Sequence, residues 1–175
     1  MEYIEIMLQD VNKKDIDLII RQELNITKDI VVSSHFYDKL QEKDKEYGEI
    51  DSLVNFFSKP NTGNIYTKEI TLSEKLHDVI VVISFDEVFG DITLNFKEDD
   101  ICNYDIDVLK YKLNKIINKL IEVQQKYSVK NIIMGYESVI DVENIMLNIS
   151  NGNKTIVNKF KGKLTNAIES ICDLI

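Results

Sequence analysis

Ile4, Ile6 and Leu8 alternate with Tyr3, Glu5 and Met7, which is the period of a strand with one covered face. The spacing then lengthens. Ile16, Ile19, Ile20 and Leu24 fall on one side of a short helix, with Asn12 and Asp15 offering capping oxygens at its start. Residues 30–32 read as a brief strand. Between residues 35 and 47 the apolar positions (Phe36, Leu40, Tyr47) are sparse among charges, which predicts a surface helix or a partly mobile segment. Ile50, Leu53, Val54 and Phe57 fit a second short helix, ended by Lys59-Pro60 and a polar turn over 61–64.

From residue 65 the pattern becomes β. Residues 65–72 are rich in β-branched side chains, and the unbroken Val79-Ile80-Val81-Val82-Ile83 predicts a central strand covered on both faces. A turn over 86–91, with Gly90 available for a positive φ, leads into Ile92, Leu94 and Phe96 facing the core. The long helix that follows carries Ile106, Leu109, Leu113, Ile116, Ile117, Leu120 and Tyr127 at three- and four-residue steps, behind Asp105 and Asp107. Strands are predicted over 129–136 and 142–149 around a turn at 137–141. After Asn151-Gly152-Asn153, Ile156, Phe160, Leu164, Ile168 and Ile171 predict a closing helix.

This order predicts an α+β fold: a mostly antiparallel sheet of five or six strands with helices packed mainly on one face. No repeat or long linker divides the chain, so a single domain over 1–175 is expected. The N-terminus has neither a basic segment nor a sustained apolar run, and no stretch approaches the roughly 20 residues needed to span a bilayer. A cytoplasmic protein is the expectation. Cys102 and Cys172 read as reduced, small hydrophobic side chains.

The chemistry of the chain is mostly negative. There is no glycine-rich phosphate loop, no Gly-x-Ser-x-Gly elbow and no paired cysteines at zinc-ligand spacing, so no catalytic residue, cofactor or metal is assigned. A formal charge of −9 disfavours nucleic acid, and Lys110, Lys112, Lys115 and Lys119 read as the solvated face of the long helix. Between Asp86 and Asp107, eight carboxylates stand against one lysine, Lys97, so this stretch carries about −7 of that charge.

Strand polarity turns this composition into a spatial expectation. If the long helix returns the chain to the top of the sheet, the strand over 129–136 runs parallel to that over 92–96. The segment after Phe96 and the bend after Tyr136 then share one end of the molecule. Glu98, Asp99, Asp100, Tyr136, Glu137, Asp141 and Glu143 converge there, joined by His77 and Glu74. Three readings compete: solvation and helix capping, docking of a basic protein partner with Tyr136 or Tyr104 as aromatic anchors, and a divalent metal site.

The segment Ile133-Met134-Gly135-Tyr136-Glu137, followed by Asp141-x-Glu143, is similar to a Gly-aromatic-Glu…Asp hairpin found in immunity proteins. The small, acidic α+β profile as a whole also resembles the immunity proteins that neutralise polymorphic or contact-delivered bacterial toxins. That resemblance implies a non-enzymatic inhibitor that covers a basic toxin through its acidic loops. The alternatives are a metal-dependent hydrolase or transferase built on the same carboxylates, and an oligomeric accessory protein using the exposed face of the long helix.

Overall fold

The computed structural model describes residues 2–102, 104–136 and 138–172. The first element is β1 (Tyr3–Asn12), an interior strand of the sheet. The helical segment after it is short and mixed: a 3-10 turn over Lys13–Asp15, α1 over Ile16–Leu18, and a π turn over Ile19–Glu23. Asn12 caps it, its side chain accepting from the Lys14 N–H, whereas Asp15 makes no side-chain cap. The remaining elements are β2 (Val31–Asp38), β3 (Lys43–Lys45), α2 (Leu53–Phe56), β4 (Asn61–Leu72), β5 (Glu74–Phe85), β6 (Phe89–Lys97), α3 (Asp99–Cys102), α4 (Ile106–Tyr127), β7 (Asn131–Tyr136), β8 (Ile145–Ser150), β9 (Asn153–Ile156) and α5 (Lys163–Cys172).

All nine strands form one sheet in the order β3-β2-β4-β5-β6-β1-β7-β8-β9, and every neighbouring pair is antiparallel. The α+β class stands, but nine strands replace the expected five or six. Two of the added strands, β3 and β9, and the extension of β2 and β4 come from segments whose polarity hid them. Residues 35–47 form the end of β2 and all of β3, because Phe36 and Tyr47 are buried at 0% and 2% exposure while Leu40 projects into solvent. Their rings pack with Phe56 and Phe57 into an aromatic cluster under the hairpin. The expected polar turn over 61–64 is instead the start of β4, since Gly63 lies against the Phe36 ring and a side chain there would collide with it. The other added strand is β9, which takes residues expected to begin the last helix; α5 starts only at Lys163.

Two further expectations change. Gly90 sits within β6 without a positive φ; it is needed because a Cβ would run into Phe85 and the Ser84 carbonyl. The apolar run at 79–83 belongs to a central strand, as expected, but only one of its faces is covered. Val79, Val81 and Ile83 are fully buried, whereas Ile80 is 40% exposed. The covered face is the one under the helices. Ile4, Ile6, Leu8, Ile92, Leu94 and Phe96 form a single core with Leu109, Leu113, Ile116 and Ile117 of α4 and Leu164 and Ile168 of α5.

Asp105 caps α4 as its sequence position predicts, accepting from the N–H groups of Asp107 and Val108. Replacing it with alanine leaves both donors without that partner and should cost about 1 kcal/mol in unfolding free energy, measurable by urea titration. At the other end Ser128 adopts the left-handed conformation that terminates the helix. No helix among the described residues is long and apolar enough to cross a membrane.

Candidate functional site

β6 and β7 both run antiparallel to β1, which lies between them, so the two strands point the same way. Ile4 of β1 sits opposite Phe96 on one side and Tyr136 on the other. The chain therefore leaves both strands at one end of the sheet. The Tyr136 hydroxyl donates to Glu98 at 3.0 Å, joining the two segments directly. The adjacent β4–β5 hairpin reaches the same end, where the His77 backbone N–H donates to Asp100 at 2.8 Å and its ring Nδ1 lies 3.3 Å from the other carboxylate oxygen.

These contacts divide the candidate residues into two groups. Glu98, Asp100 and Tyr136 are engaged within the protein. Tyr136 is half-buried with its ring edge-on to Phe160, and burial together with the Glu98 carboxylate pushes its hydroxyl pKa upward. It is a positioning residue here, not an exposed anchor. Beside it, burial and the same carboxylate raise the Cys102 thiol to about 12, so the thiol is protonated at neutral pH. Asp99, Asp141 and Glu143, by contrast, are exposed. Glu137 lies outside the described residues. Tyr104 is 40% exposed but has the Lys112 ammonium 3.6 Å above its ring.

The segment after β7 has an architecture that its sequence did not suggest. Residues 138–141 turn back over the sheet face opposite the helices, followed by a 3-10 turn over Val142–Asn144. Val139 is the anchor: it is completely buried against Met7, Ile133 and Ile145 in a small second core. Its N–H donates to the Glu5 carboxylate at 2.8 Å, which fixes the backbone as well. Asn158 holds the far side through hydrogen bonds to the carbonyls of Val142 and Ile145. What the loop then presents outward is Ile140 at 77% exposure and Val142 at 69%, interleaved with Asp141 and Glu143. Sequence reasoning placed a turn over 137–141 and began the next strand at Val142, whereas β8 begins only at Ile145.

Among the described residues no three His, Cys, Asp or Glu side chains are grouped to hold a metal ion. The arrangement suits contact better than chemistry: two exposed apolar side chains on a pinned loop, with carboxylates beside them.

A family model described as the PABL017 Cdi1I immunity protein matches residues 2–159, nine-tenths of the chain. The chain belongs to that family. This immunity protein also shares its fold with a chain of the 1.75 Å crystal structure of the toxic C-terminal tip of CdiA from Pseudomonas aeruginosa in complex with immune protein. The match covers 86% of this chain and 95% of that one, with a TM-score of 0.65 at 14% identity. No curated protein matches the immunity protein by sequence.

Proposed function

We propose that this immunity protein neutralises a CdiA-type toxin domain by binding it, and that the surface doing so is the end of the sheet where the chain leaves β6 and β7. The observation that carries the choice of surface is the Val139-anchored loop. Apolar side chains held in place before binding contribute affinity without the cost of ordering them, and clustered carboxylates speed encounter with a positively charged partner. Ile140 and Val142 supply the apolar contacts. Asp99, Asp141 and Glu143 supply the steering charge, and Glu137 adds a fourth carboxylate to the same turn in the sequence. Glu98 and Tyr136 act one step back by tying the start of α3 to the end of β7, and Asp100 by tying α3 to His77 of β5. The partner this surface fits is a basic toxin face.

The decisive experiment measures association with an inactivated form of the cognate toxin domain. The double substitution Asp141→Lys with Glu143→Lys is expected to slow association at least about tenfold at low ionic strength and to flatten its salt dependence. Unfolding free energy should stay within about 0.5 kcal/mol of the parent, since both side chains are exposed. An unchanged association rate at low salt removes this surface.

A further inference from the structure

The two flanks of the sheet are not alike. At one flank β3 spans only three residues, Lys43-Asp44-Lys45, all charged, which is a common protection against a further strand. At the other flank lies β9, Asn153-Lys154-Thr155-Ile156. Its pairing with β8 follows one register from Ser150 opposite Asn153 to Leu147 opposite Ile156. Asn151 and Gly152, with φ of 51° and 76°, form the two-residue turn between these strands. Such a turn closes on a pair that exchanges both hydrogen bonds. Val157, at the other end, donates to the Met146 carbonyl at 2.9 Å, two alternations further on.

Both ends therefore give the same phase. Asn153, Thr155 and Val157 turn their backbone groups towards β8, and Lys154 and Ile156 turn their N–H and C=O groups off the edge. None of these outward groups has a backbone partner among the described residues. The one lysine on the strand does not shield them, because its ammonium reaches the Ile171 carbonyl of α5 at 3.4 Å. No proline interrupts the strand.

The chain leaving this edge runs directly to the acidic loop. Val157 is 38% exposed, and Asn158, next along, is the residue whose side chain holds the Val142 and Ile145 carbonyls. The open edge and the Ile140/Val142 projection are thus one continuous surface.

We infer that β9 is an acceptor edge, and that an extended segment of the toxin domain adds to the sheet there as a tenth strand while its basic face meets the acidic loop. This rests on the docking surface proposed above and names how the partner's backbone is held. Backbone pairing supplies affinity that tolerates side-chain change, and the loop supplies discrimination.

The test uses the full chain with an inactivated form of the cognate toxin domain. Lys154→Pro removes one outward N–H and leaves the β8 ladder intact, a position where an edge strand tolerates proline. Lys154→Ala is the control for loss of the ammonium contact. Toxin binding is expected to weaken at least tenfold in the proline variant and less than threefold in the alanine variant. In the parent chain, toxin is expected to slow amide exchange at Lys154 and Ile156, a reading that decides the matter even if the proline variant fails to fold. Should those amides exchange unchanged in a complex still sensitive to Asp141→Lys with Glu143→Lys, the acceptor edge is overturned and the acidic surface stands. Should the charge reversal have no effect while the amides are protected, the edge stands and the acidic surface falls. Protection of the same amides in the concentrated chain without toxin assigns the edge to a second copy and overturns the inference.

Discussion

Alanine in place of Gly135 should displace the acidic loop and lower toxin affinity by an order of magnitude or more. Gly135 lies in β7 opposite Glu5, and a Cβ built there meets the Asn144 carbonyl oxygen and Val139 Cγ1. The first of these is backbone, so no side-chain rotation relieves it. The second belongs to the residue that seats the loop. The 138–144 segment has to lift away from Met7 and Ile133, taking Ile140 and Val142 with it. Overpacking of this kind typically costs 1–3 kcal/mol, read as a fall in the urea midpoint at unchanged slope. Gly48→Ala is the matched control, because the nearest atom to its Cβ is the flexible Lys28 side chain at 3.7 Å. A Gly135→Ala protein that keeps both parental stability and affinity would mean that the loop is not held as described.

The second large effect concerns Glu23, at the end of the short helical segment after β1. Its side chain is 9% exposed, and it accepts from Lys119 at 2.7 Å, Lys126 at 2.6 Å and the Tyr127 hydroxyl at 2.6 Å. Burial works to raise its pKa, but the three donors outweigh it and bring the carboxyl from an ordinary 4.5 to about 2. Because the folded value lies below the unfolded one, the stabilisation is complete above about pH 4.5 and is lost as pH falls towards 2. A shift of that size corresponds to about 3 kcal/mol at neutral pH. Glu23→Gln should lower unfolding free energy at pH 7 by about 2–3 kcal/mol, and the difference from the parent should vanish near pH 2. Parallel curves through the acid range would show that Glu23 does not titrate as an ion-paired group.

The Glu23 site also shows what the amino-acid pattern could not convey. Lys119 reads as part of a solvated helix face, because nothing local says that a carboxylate 96 positions earlier in the chain lies beneath it. Elements with strong periodicity were legible: β1, the β5–β6 pair and α4 are where alternation or three-four spacing places them. The common end of β6 and β7 was legible too, since strand direction follows from the helix that connects them. The misread segments share a cause. In 35–47 and 61–64 the residues facing solvent outnumber those facing the core. Phe36, Tyr47 and Gly63 carry the burial, and so thin a signal is lost among polar and charged neighbours. The turn after Tyr136 was legible, but its pattern did not show that Val139 buries itself against the sheet while Ile140 and Val142 project. At the candidate site the carboxylates were visible, while the division into engaged Glu98 and Asp100 and exposed Asp99, Asp141 and Glu143 needed coordinates.

The unequal flanks of the sheet have a consequence for how the protein behaves when crowded. A ribbon of strands propagates into a filament only if each unit can both offer an edge and receive one. With charged β3 closing one side, addition at β9 ends the chain of contacts after a single partner. An immunity protein can therefore carry one open margin and still not polymerise.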